Sequence, residues 1–283
     1  YDDYKAGRAK ADDALVAQLK SSRTLFEAFG IPMYDKPGFE ADDMLGTIVE
    51  QLKIENRKLK IPDVNVIIAS GDMDTLQLVK GKEVQVFTLK KGINDTILYD
   101  EDAVRARFGF GPELLPDYKG LRGDPSDNII GIAGIGEKTG STLIQTFGTI
   151  ENIYKNLKNP KTKPKFKEAG ITDRIIGLLE EGEEEAEFSK TLATIRRDAP
   201  IDFKLPEKMF KEAIDIEKIT ALFRELEFKS LISRVEKVLG IENTTPAEEI
   251  APVDEKTFKR ALMAMWVLNS EAGNVSLEDI YDY

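Results

Sequence analysis

The stretch "GDPSDNIIGIAGIGEKTG", residues 123–140, sets two aspartates beside a run of glycines and ends in a lysine and a threonine. A Walker-type phosphate loop needs a glycine and a lysine side by side after a strand. Here a glutamate separates the last glycine from the lysine and no strand is predicted before the stretch, so that interpretation fails. The spaced glycines Gly131, Gly134 and Gly136 instead predict a short hairpin between two helices, because glycine backbone can approach a phosphate that the amides of a following helix hold.

A hairpin of this kind grips a nucleic-acid backbone without reading the bases, whereas a plain connection between two helices would need only one glycine. Supporting charge follows in residues 154–167, which carry six lysines and no acid. This segment suits phosphate binding by counterion release, although a solvated loop explains it equally well. The acidic segment "EEGEEEAE", residues 180–187, is expected to be a solvated helix face without a function.

The composition limits the possible chemistry. The 283 residues are 41% hydrophobic and 32% charged, as in a soluble globular protein, and no apolar run approaches the ~18–20 residues of a membrane span. The chain has no Cys, which favours a cytosolic location, and no His. Thiol catalysis, His-based acid–base catalysis and the usual zinc sites are therefore excluded, and any metal must be held by oxygen, as Mg²⁺ or Mn²⁺ are. The net charge of −11 argues against a nucleic-acid partner unless the acids are concentrated in one metal-filled pocket.

Periodicity predicts an α/β layer followed by helices. Apolar residues at helical spacing predict a helix within 11–29, and a second helix should begin near Glu40. Short β-branched runs predict strands at 64–70, 84–88 and 96–99. No strand is predicted after about residue 108, residues 111–240 are predicted to be mostly helical, and the polar segment 241–255 is typical of a linker.

Seven carboxylates fall into three clusters. Each cluster alone is explained by helix capping, dipole complementation or an Asx turn. Together they lie where strand ends and helix starts would direct them to one crevice, and such a cage would repel itself without cations. A two-metal site for phosphodiester hydrolysis is therefore the favoured interpretation. The residues are Glu40, Asp42 and Asp43, then Asp72 and Asp74, then Asp124 and Asp127.

Five motifs together resemble the 5′-nuclease domain of bacterial DNA polymerase I and the related flap endonucleases: "YKAGR", "GFEADDMLG", "SGDMDTLQLV", "LRGDPSDNIIGIAGIGEKT" and "FGTIENI". The resemblance extends to about residue 240. It implies a PIN-like α/β core with a mixed, mainly parallel sheet over residues 1–110, with a helical arch near 1–25. It also implies a helix-hairpin-helix (H3TH) subdomain over 111–240, while 241–283 resembles a linker and the start of a 3′–5′ exonuclease-like domain.

The resemblance implies a role for each candidate residue. The seven carboxylates match the family's ligands for two Mg²⁺ or Mn²⁺ ions, and the hairpin of the family often binds K⁺. Lys5 and Arg8 match a basic pair that contacts the phosphate to be cut. Such a pair would stabilise the charge that develops on phosphorus. The residues matching the DNA-binding hairpin are Gly131, Gly134, Gly136, Lys138 and Thr139.

One departure bears on activity. The family has an N-terminal strand that ends in a further metal-binding aspartate, and nothing before Tyr1 supplies it. We therefore expect the chain to bind flap DNA but to cut it poorly until that strand is restored.

Three functions remain open at this point. The leading one is a structure-specific 5′→3′ exonuclease and flap endonuclease acting in primer removal, replication and repair, as a cytoplasmic monomer on 5′-flap, nicked or gapped DNA. The second is a DNA-junction-binding module with impaired catalysis because the first aspartate is absent. The third is a PIN-like nuclease acting on RNA, against which the DNA-type hairpin argues.

Overall fold

The computed structural model describes residues 4–5, 11–59, 64–91, 94–240 and 259–260. The predictions for Arg8, for the linker 241–255 and for residues 261–283 therefore lie outside the described residues. Contacts divide the chain into two compact units. The larger unit contains Tyr4, Lys5 and the described residues from Tyr34 to Leu205, and the smaller unit contains residues from Ala11 to Met33 and from Pro206 onward.

Helices dominate the described residues. The sheet strands are β1 (Val66–Ala69), β2 (Val84–Lys91) and β3 (Asp95–Tyr99). Two 3₁₀ turns span Met73–Leu78 and Pro112–Leu114. The α-helices are α1 (Asp13–Ala28), α2 (Ala41–Leu59), α3 (Glu101–Phe108), α4 (Leu115–Arg122), α5 (Glu137–Phe147), α6 (Ile150–Leu157), α7 (Pro164–Glu168), α8 (Asp173–Glu181), α9 (Glu183–Ala193), α10 (Phe210–Ala213), α11 (Ile216–Glu225) and α12 (Lys229–Leu239).

The sheet is mixed, with strand order β1-β2-β3. Strands β1 and β2 are parallel, with Val66 opposite Val84. Strands β2 and β3 are antiparallel, with Val86 opposite Tyr99. The three predicted strands and the two predicted N-terminal helices are thus confirmed. In the described residues after Tyr99 no further strand forms, as predicted for the helical part.

The 3₁₀ turn that follows β1 holds the loop that carries Asp72 and Asp74. Leu76 and Leu78 in this turn are buried in the main hydrophobic core, with exposed fractions of 0% and 2%. Asp72 caps the turn by accepting a hydrogen bond from the Asp74 amide at 2.9 Å. Burial of the leucines therefore holds both aspartates at the carboxyl end of β1, where the sequence placed them.

Helix α4 packs closely against α9 in the helical part. A Cβ on Gly120 would lie 2.8 Å from the Ala186 carbonyl oxygen and 2.7 Å from Cδ1 of Ile150, so only glycine permits this approach. Leu121 and Leu143 are fully buried beside this crossing. The crossing brings the start of the hairpin stretch against α9.

A buried ion network ties α4 to α6 and α9. The Asp117 carboxylate is 3% exposed, accepts a hydrogen bond from the Ile150 amide at 2.8 Å, and lies 2.7 Å from the Lys190 ammonium. Lys190 also reaches Glu151 at 2.7 Å, and its hydrogen bond is the main cause that lowers the pKa of Glu151 to about 2. The buried Asp117 carboxylate thus has both an amide and an ammonium partner, as a buried carboxylate requires.

The smaller unit has its own core, in which Ala28 of α1 packs with Ile219 and Phe223 of α11. The helical stripe predicted for residues 11–29 is only partly used inside this unit. Leu15 and Leu19 are 48% and 58% exposed, because Leu25, Ala28 and Phe29 form the packed face instead. Among the described residues, no helix is both long and apolar enough to span a bilayer.

Replacing Lys190 with methionine should lower the free energy of unfolding by about 3 kcal/mol, because Asp117 would remain buried without its cation. Urea unfolding at pH 7 followed by circular dichroism measures the change.

Lys158→Met is the matched control, since Lys158 pairs with Glu183 at 2.7 Å but its side chain is 66% exposed. The control should change stability by less than about 0.5 kcal/mol. Equal losses in the two variants would show that burial of Asp117 is not what makes the Lys190 pair strong.

Candidate functional site

The structure brings all seven predicted carboxylates to adjoining clefts of the larger unit. A cleft of about 580 Å³ is lined by Asp72, Asp74, Asp124 and Asp127 among others. A second cleft of about 510 Å³ shares Asp74 and Asp127 and adds Glu40, Asp42 and Asp43. A smaller one of about 310 Å³ is lined by Lys5, Glu40, Ala41, Asp42 and Asp72. Residues up to 87 positions apart in sequence, from 40 to 127, therefore face one region.

The first cluster combines a capping role with an open carboxylate. The Asp43 carboxylate accepts hydrogen bonds from the Glu40 amide and from the Arg196 amide, both at 2.9 Å. The capping interpretation thus applies to Asp43, which fixes the start of α2 and the segment after α9. Asp42 points into the clefts and makes no hydrogen bond or ion pair within the described residues.

The third cluster lies on a tight loop between α4 and the hairpin. The Asp124 amide donates to the Ile129 carbonyl at 2.8 Å and the Ile129 amide donates back at 2.9 Å. One oxygen of the Asp124 carboxylate also accepts from the Ser126 amide at 3.0 Å and from its hydroxyl at 2.5 Å. These bonds orient Asp124 toward the cleft.

The loop can close only because two glycines meet. Gly123 and Gly131 have φ angles of 74° and 63°, in the left-handed region. A Cβ on Gly131 would lie 2.1 Å from the Gly123 nitrogen. The Gly131 amide is itself buried and donates to the Ser189 hydroxyl at 3.0 Å. Gly131 therefore does not expose an amide for the phosphate contact predicted for it, and its role is to bring the two chain segments together.

Two lysines neutralise part of the carboxylate cluster. The Lys119 ammonium binds Asp74 and also Asp124, the latter at 2.5 Å. The Lys5 ammonium lies 2.5 Å from Glu40 and 3.7 Å from Asp127. Lys5 was predicted from the sequence, but Lys119 was not. Lys119 lies near the end of α4, five residues before Asp124, and its ammonium reaches back to that carboxylate.

These contacts set the carboxyl pKa values in opposite directions. Burial acts to raise the pKa of Asp124, but hydrogen bonds from Lys119 and Ser126 lower it to about 2. For Asp74, burial outweighs the attraction of Lys119 and the pKa is raised. The pKa of Asp42 rises to about 6 because of burial and the negative charges of Asp72 and Asp74. The cluster thus holds more negative charge than its two lysines compensate.

The donor set fits hard divalent cations. Every available ligand is an oxygen, since the chain has no His and no Cys. The repulsion that raises the pKa of Asp42 is the kind that a bound cation relieves. Within the described residues, no three acidic side chains are already arranged to hold one ion. Glu40, Asp74 and Asp124 are directed to lysines instead, so metal binding would require these ion pairs to rearrange.

Tyr4 and Lys5 form a basic and aromatic edge of the site. The Lys5 amide donates to the Asp127 carbonyl at 3.1 Å, which fixes it beside the cleft. The Tyr4 hydroxyl donates to Glu40 at 3.2 Å. Burial, with help from the Glu40 charge, raises the pKa of Tyr4 to about 12, so the hydroxyl keeps its proton. The second member of the predicted basic pair, Arg8, lies outside the described residues.

The hairpin itself presents open backbone at its tip. Gly134 and Gly136 are exposed, and Gly136 caps α5 without any side-chain hydrogen bond to the first amides of the helix. Lys138 is exposed and Thr139 is half-buried on the first turn. The Arg174 guanidinium lies 3.5 Å from the position that a Cβ on Gly134 would take. Arg174 is a cation of this surface that sequence patterns missed, because it comes from a distant helix.

The lysine-rich segment is less free than its sequence suggests. Three of its six lysines form ion pairs, with distances of 2.7 Å for Lys158–Glu183 and 2.5 Å for Lys163–Glu180. Lys167 pairs with Asp173 at 3.0 Å. Two glutamates of residues 180–187 bind these lysines in contacts that stay at the surface, so the expectation of a solvated helix face without a function stays a prediction.

The sequence matches two family models that together cover residues 1–217. Residues 1–109 match the family described as 5′-3′ exonuclease, N-terminal resolvase-like domain. Residues 110–217 match the family described as 5′-3′ exonuclease, C-terminal SAM fold.

Curated relatives include DNA polymerase I of Bacillus caldotenax, which is 37% identical over 261 residues, and that of Bacillus subtilis, which is 34% identical over 259 residues. Each alignment covers 92% of this chain but only 27% of the relative. The chain thus spans little more than a quarter of the length of these relatives.

Solved structures share the fold. A flap endonuclease of bacteriophage T5, in a pseudo-enzyme-product complex with DNA and metal ions, is 25% identical with a TM-score of 0.52. The alignment covers 68% of this chain and 66% of that one. The T5 5′-exonuclease with bound zinc ions is 25% identical with a TM-score of 0.51, over 68% of this chain and 67% of that one. The predicted α/β core followed by a helical part is confirmed as a resolvase-like and SAM-like fold.

Replacing Asp42 with asparagine should stabilise the metal-free protein at pH 8. The folded-state pKa of about 6 lies above the ordinary value of 3.8, so the charged carboxylate destabilises the fold above pH 6. This penalty shrinks as the pH falls from 6 to below 3.8, because the folded carboxyl is protonated first and the unfolded one only at lower pH. Thermal unfolding in EDTA should show a clearly larger gain in Tm at pH 8 than at pH 4.5.

Asp43→Asn is the neighbouring control and should lower Tm at pH 8, because the Asp43 carboxylate accepts two amide hydrogen bonds. A shift of the same sign and size in both variants would contradict the assignment of excess charge to Asp42.

Proposed function

The chain belongs to the 5′-3′ exonuclease family of nucleases, and from this premise we propose that it is a structure-specific 5′→3′ exonuclease and flap endonuclease acting on DNA. The observation that carries the proposal is the convergence of seven carboxylates and two lysines on adjoining clefts beside a glycine hairpin. The T5 flap endonuclease complex with DNA and metal ions supports DNA as the substrate, and the zinc-bound T5 5′-exonuclease supports a divalent ion as the cofactor.

The carboxylates are proposed to hold two divalent ions, Mg²⁺ or Mn²⁺. When bound, such ions supply an activated water nucleophile and stabilise the charge on the attacking and leaving oxygens. Asp42 and Asp74, like Glu40, Asp72 and Asp127, each line two of the adjoining clefts. Asp43 is assigned a supporting part, as its oxygens are already bound by backbone amides. The remaining ligands would be Glu40, Asp72, Asp124 and Asp127.

Lys5, with Arg8, is proposed to bind the phosphate that is cut. Its ammonium bridges toward Glu40 and Asp127, so it lies at the edge of the carboxylate cluster. A divalent ion that takes over Glu40 would release Lys5 toward the substrate. A cation placed there stabilises charge that builds up on the phosphate oxygens.

The hairpin is proposed to hold the duplex beside the clefts. The open amides near Gly134 and Gly136 can donate hydrogen bonds to a backbone phosphate. Lys138, Thr139 and Arg174 lie on the same surface. Binding of this type tracks the backbone and carries no sequence information. A K⁺ ion at the hairpin remains part of the proposal.

The two other candidate functions are less well supported. The clefts retain a crowded set of carboxylates, which a purely structural DNA-junction binder would have no need to keep at an energetic cost. Because the curated relatives are DNA polymerases, DNA is favoured over RNA as the substrate. Action in primer removal, replication and repair, on 5′-flap, nicked or gapped DNA as a cytoplasmic monomer, completes the proposal.

Cleavage of a labelled 5′-flap DNA should require Mg²⁺ or Mn²⁺ and should stop in EDTA. Asp74→Asn should lower the single-turnover rate by about a hundred-fold or more, because it removes a proposed metal ligand. Asp173→Asn is the control, since Asp173 is exposed on α8 and pairs with Lys167 at the surface, and its rate should stay within about two-fold of the parent. Full activity in EDTA, or an unchanged rate in Asp74→Asn, would refute the metal assignment.

Gly136→Val should weaken binding of duplex DNA by about ten-fold while leaving the fold intact. A Cβ at Gly136 meets no atom within 4 Å, so its side chain would project from the hairpin and keep phosphate away from the amides. Fluorescence anisotropy at fixed salt measures the affinity.

Gly177→Val is the matched control, because Gly177 lies on α8 and also has no atom within 4 Å of a built Cβ. The control should bind duplex as the parent does. Equal affinities in the Gly136 variant and the parent would remove the hairpin from the proposed DNA surface.

A further inference from the structure

The cleft of about 580 Å³ also has a basic and aromatic lining that the proposed chemistry does not use. Besides its four aspartates it is lined by Arg107 and Arg122, together with Phe108 and Tyr118. Lys119 also lines the cleft, but its charge is taken up by Asp74 and Asp124. Among the described residues, Arg107 and Arg122 are therefore the cations of this cleft that form no ion pair with a carboxylate.

Both arginines are held in place by neutral groups. Nη1 of Arg107 donates to the Tyr99 hydroxyl at 2.5 Å and lies 3.6 Å from Sδ of Met73. Arg122 donates to the Tyr118 hydroxyl and to the Gly123 carbonyl, both at 3.2 Å. Within the described part of the chain, neither guanidinium forms an ion pair with a carboxylate. Each is thus positioned by neutral groups, although the charges of Asp124 and Glu137 also act on Arg122.

An aromatic wall joins the two groups. The Arg107 guanidinium carbon lies 5.3 Å from the centre of the Phe108 ring, and that of Arg122 lies 5.3 Å from the Tyr118 ring. The Phe108 and Tyr118 rings pack edge to face with their centres 6.4 Å apart. Cation–π contact on packed rings limits the motion of a guanidinium while leaving its N–H donors available.

Arg105 shows the ordinary alternative on the same helix. Its guanidinium binds Glu101 at 2.8 Å and approaches Glu113 at 3.6 Å, so its charge is balanced inside the protein. On α3, Arg105 is thus paired with glutamates, whereas Arg107 lines the cleft and forms no ion pair within the described part of the chain.

We propose that Arg107 and Arg122 form a subsite for a backbone phosphate of the bound DNA strand, distinct from the phosphate that is cut. The proposal rests on the nuclease function proposed above. Guanidinium groups bind phosphate through paired N–H donors, and a positioned pair loses little entropy on binding. A strand carries one phosphate per nucleotide, so it can present one to the carboxylates and another to the arginines across the same cleft. The subsite thereby fixes how far the strand enters the site before it is cut.

A free phosphate ion is the weaker candidate for this subsite. It would gain the two guanidinium contacts but would also face the aspartates across the cleft without compensation. A strand is in addition held at the proposed hairpin surface, so its phosphate is delivered at high effective concentration.

The test removes the positive charge of each arginine from the protein and, separately, the negative charge of single phosphates from the DNA. Arg107→Gln, Arg122→Gln and the double variant are compared with the parent on 5′-flap DNA in EDTA, in which no cutting occurs. Binding is measured over a salt series and with oligonucleotides that carry one neutral methylphosphonate at each successive position. Each arginine variant should weaken binding about ten-fold and reduce the slope of log K against log[salt] by about 0.7–0.9.

The coupling identifies the phosphate. One methylphosphonate position, other than the cut site, should weaken binding by the parent and have no effect on binding by the double variant. Arg107→Lys should recover the salt slope, because it keeps the charge, and Arg105→Gln should match the parent throughout. Thermal unfolding of each variant shows whether lost binding comes with a lost fold.

The outcomes separate the subsite from the nuclease assignment. If the parent binds and cuts flap DNA while the arginine variants keep its salt slope and methylphosphonate pattern, the subsite is overturned and the nuclease function stands. If inorganic phosphate at millimolar concentration protects the parent, but not the double variant, from unfolding while no methylphosphonate position couples, the ligand is the free ion and the proposal is overturned. If the parent neither binds nor cuts flap DNA, the proposed function fails and the subsite fails with it.

Discussion

The repulsion among carboxylates crowded on adjoining clefts is the constraint around which the larger unit is organised. Asp42 lies among other acids and forms no ion pair in the described structure, and burial together with the charges of Asp72 and Asp74 raises its pKa. Lys119 and Lys5 relieve part of it by binding Asp74, Asp124 and Glu40. A protein tolerates such crowding where a function requires it, because the same charges bind divalent ions strongly.

Helix α4 connects this charged cluster to the rest of the fold. On one side Asp117 anchors it through a buried ion network to α6 and α9. On another, Lys119 reaches the carboxylates while Tyr118 and Arg122 line the cleft of about 580 Å³. Eight residues thus carry a structural anchor, a counterion for the acids and part of a cationic wall. The close crossing at Gly120 and the meeting of Gly123 with Gly131 hold this helix, and the hairpin after it, at a fixed place beside the acids.

The division of labour along the hairpin follows from the same geometry. Gly131 serves the loop that positions Asp124 and Asp127, whereas Gly134 and Gly136 leave backbone open at the surface. The lysine-rich segment is partly balanced by glutamates of α8 and α9, so positive charge facing outward is concentrated on fewer side chains than the sequence suggests. Metal ligands and backbone contacts to DNA can therefore be supplied by neighbouring parts of one compact unit.

Sequence alone determined the elements and the chemical class of the site. Apolar periodicity predicted β1 to β3 and the start of α2, and the lack of His and Cys restricted any metal site to oxygen ligands. Local spacing placed Asp72 and Asp74 directly after β1, since strand ends and turns are set by nearby residues. The prediction that this strand is buried on both faces was wrong, because Ile67 is 60% exposed. What only the tertiary structure decided is which distant groups meet: Lys119 on two aspartates, Gly131 against Gly123, and Arg107 beside Arg122. Such pairings depend on helix crossings whose angle and depth arise from core packing, and a one-dimensional pattern carries no record of them.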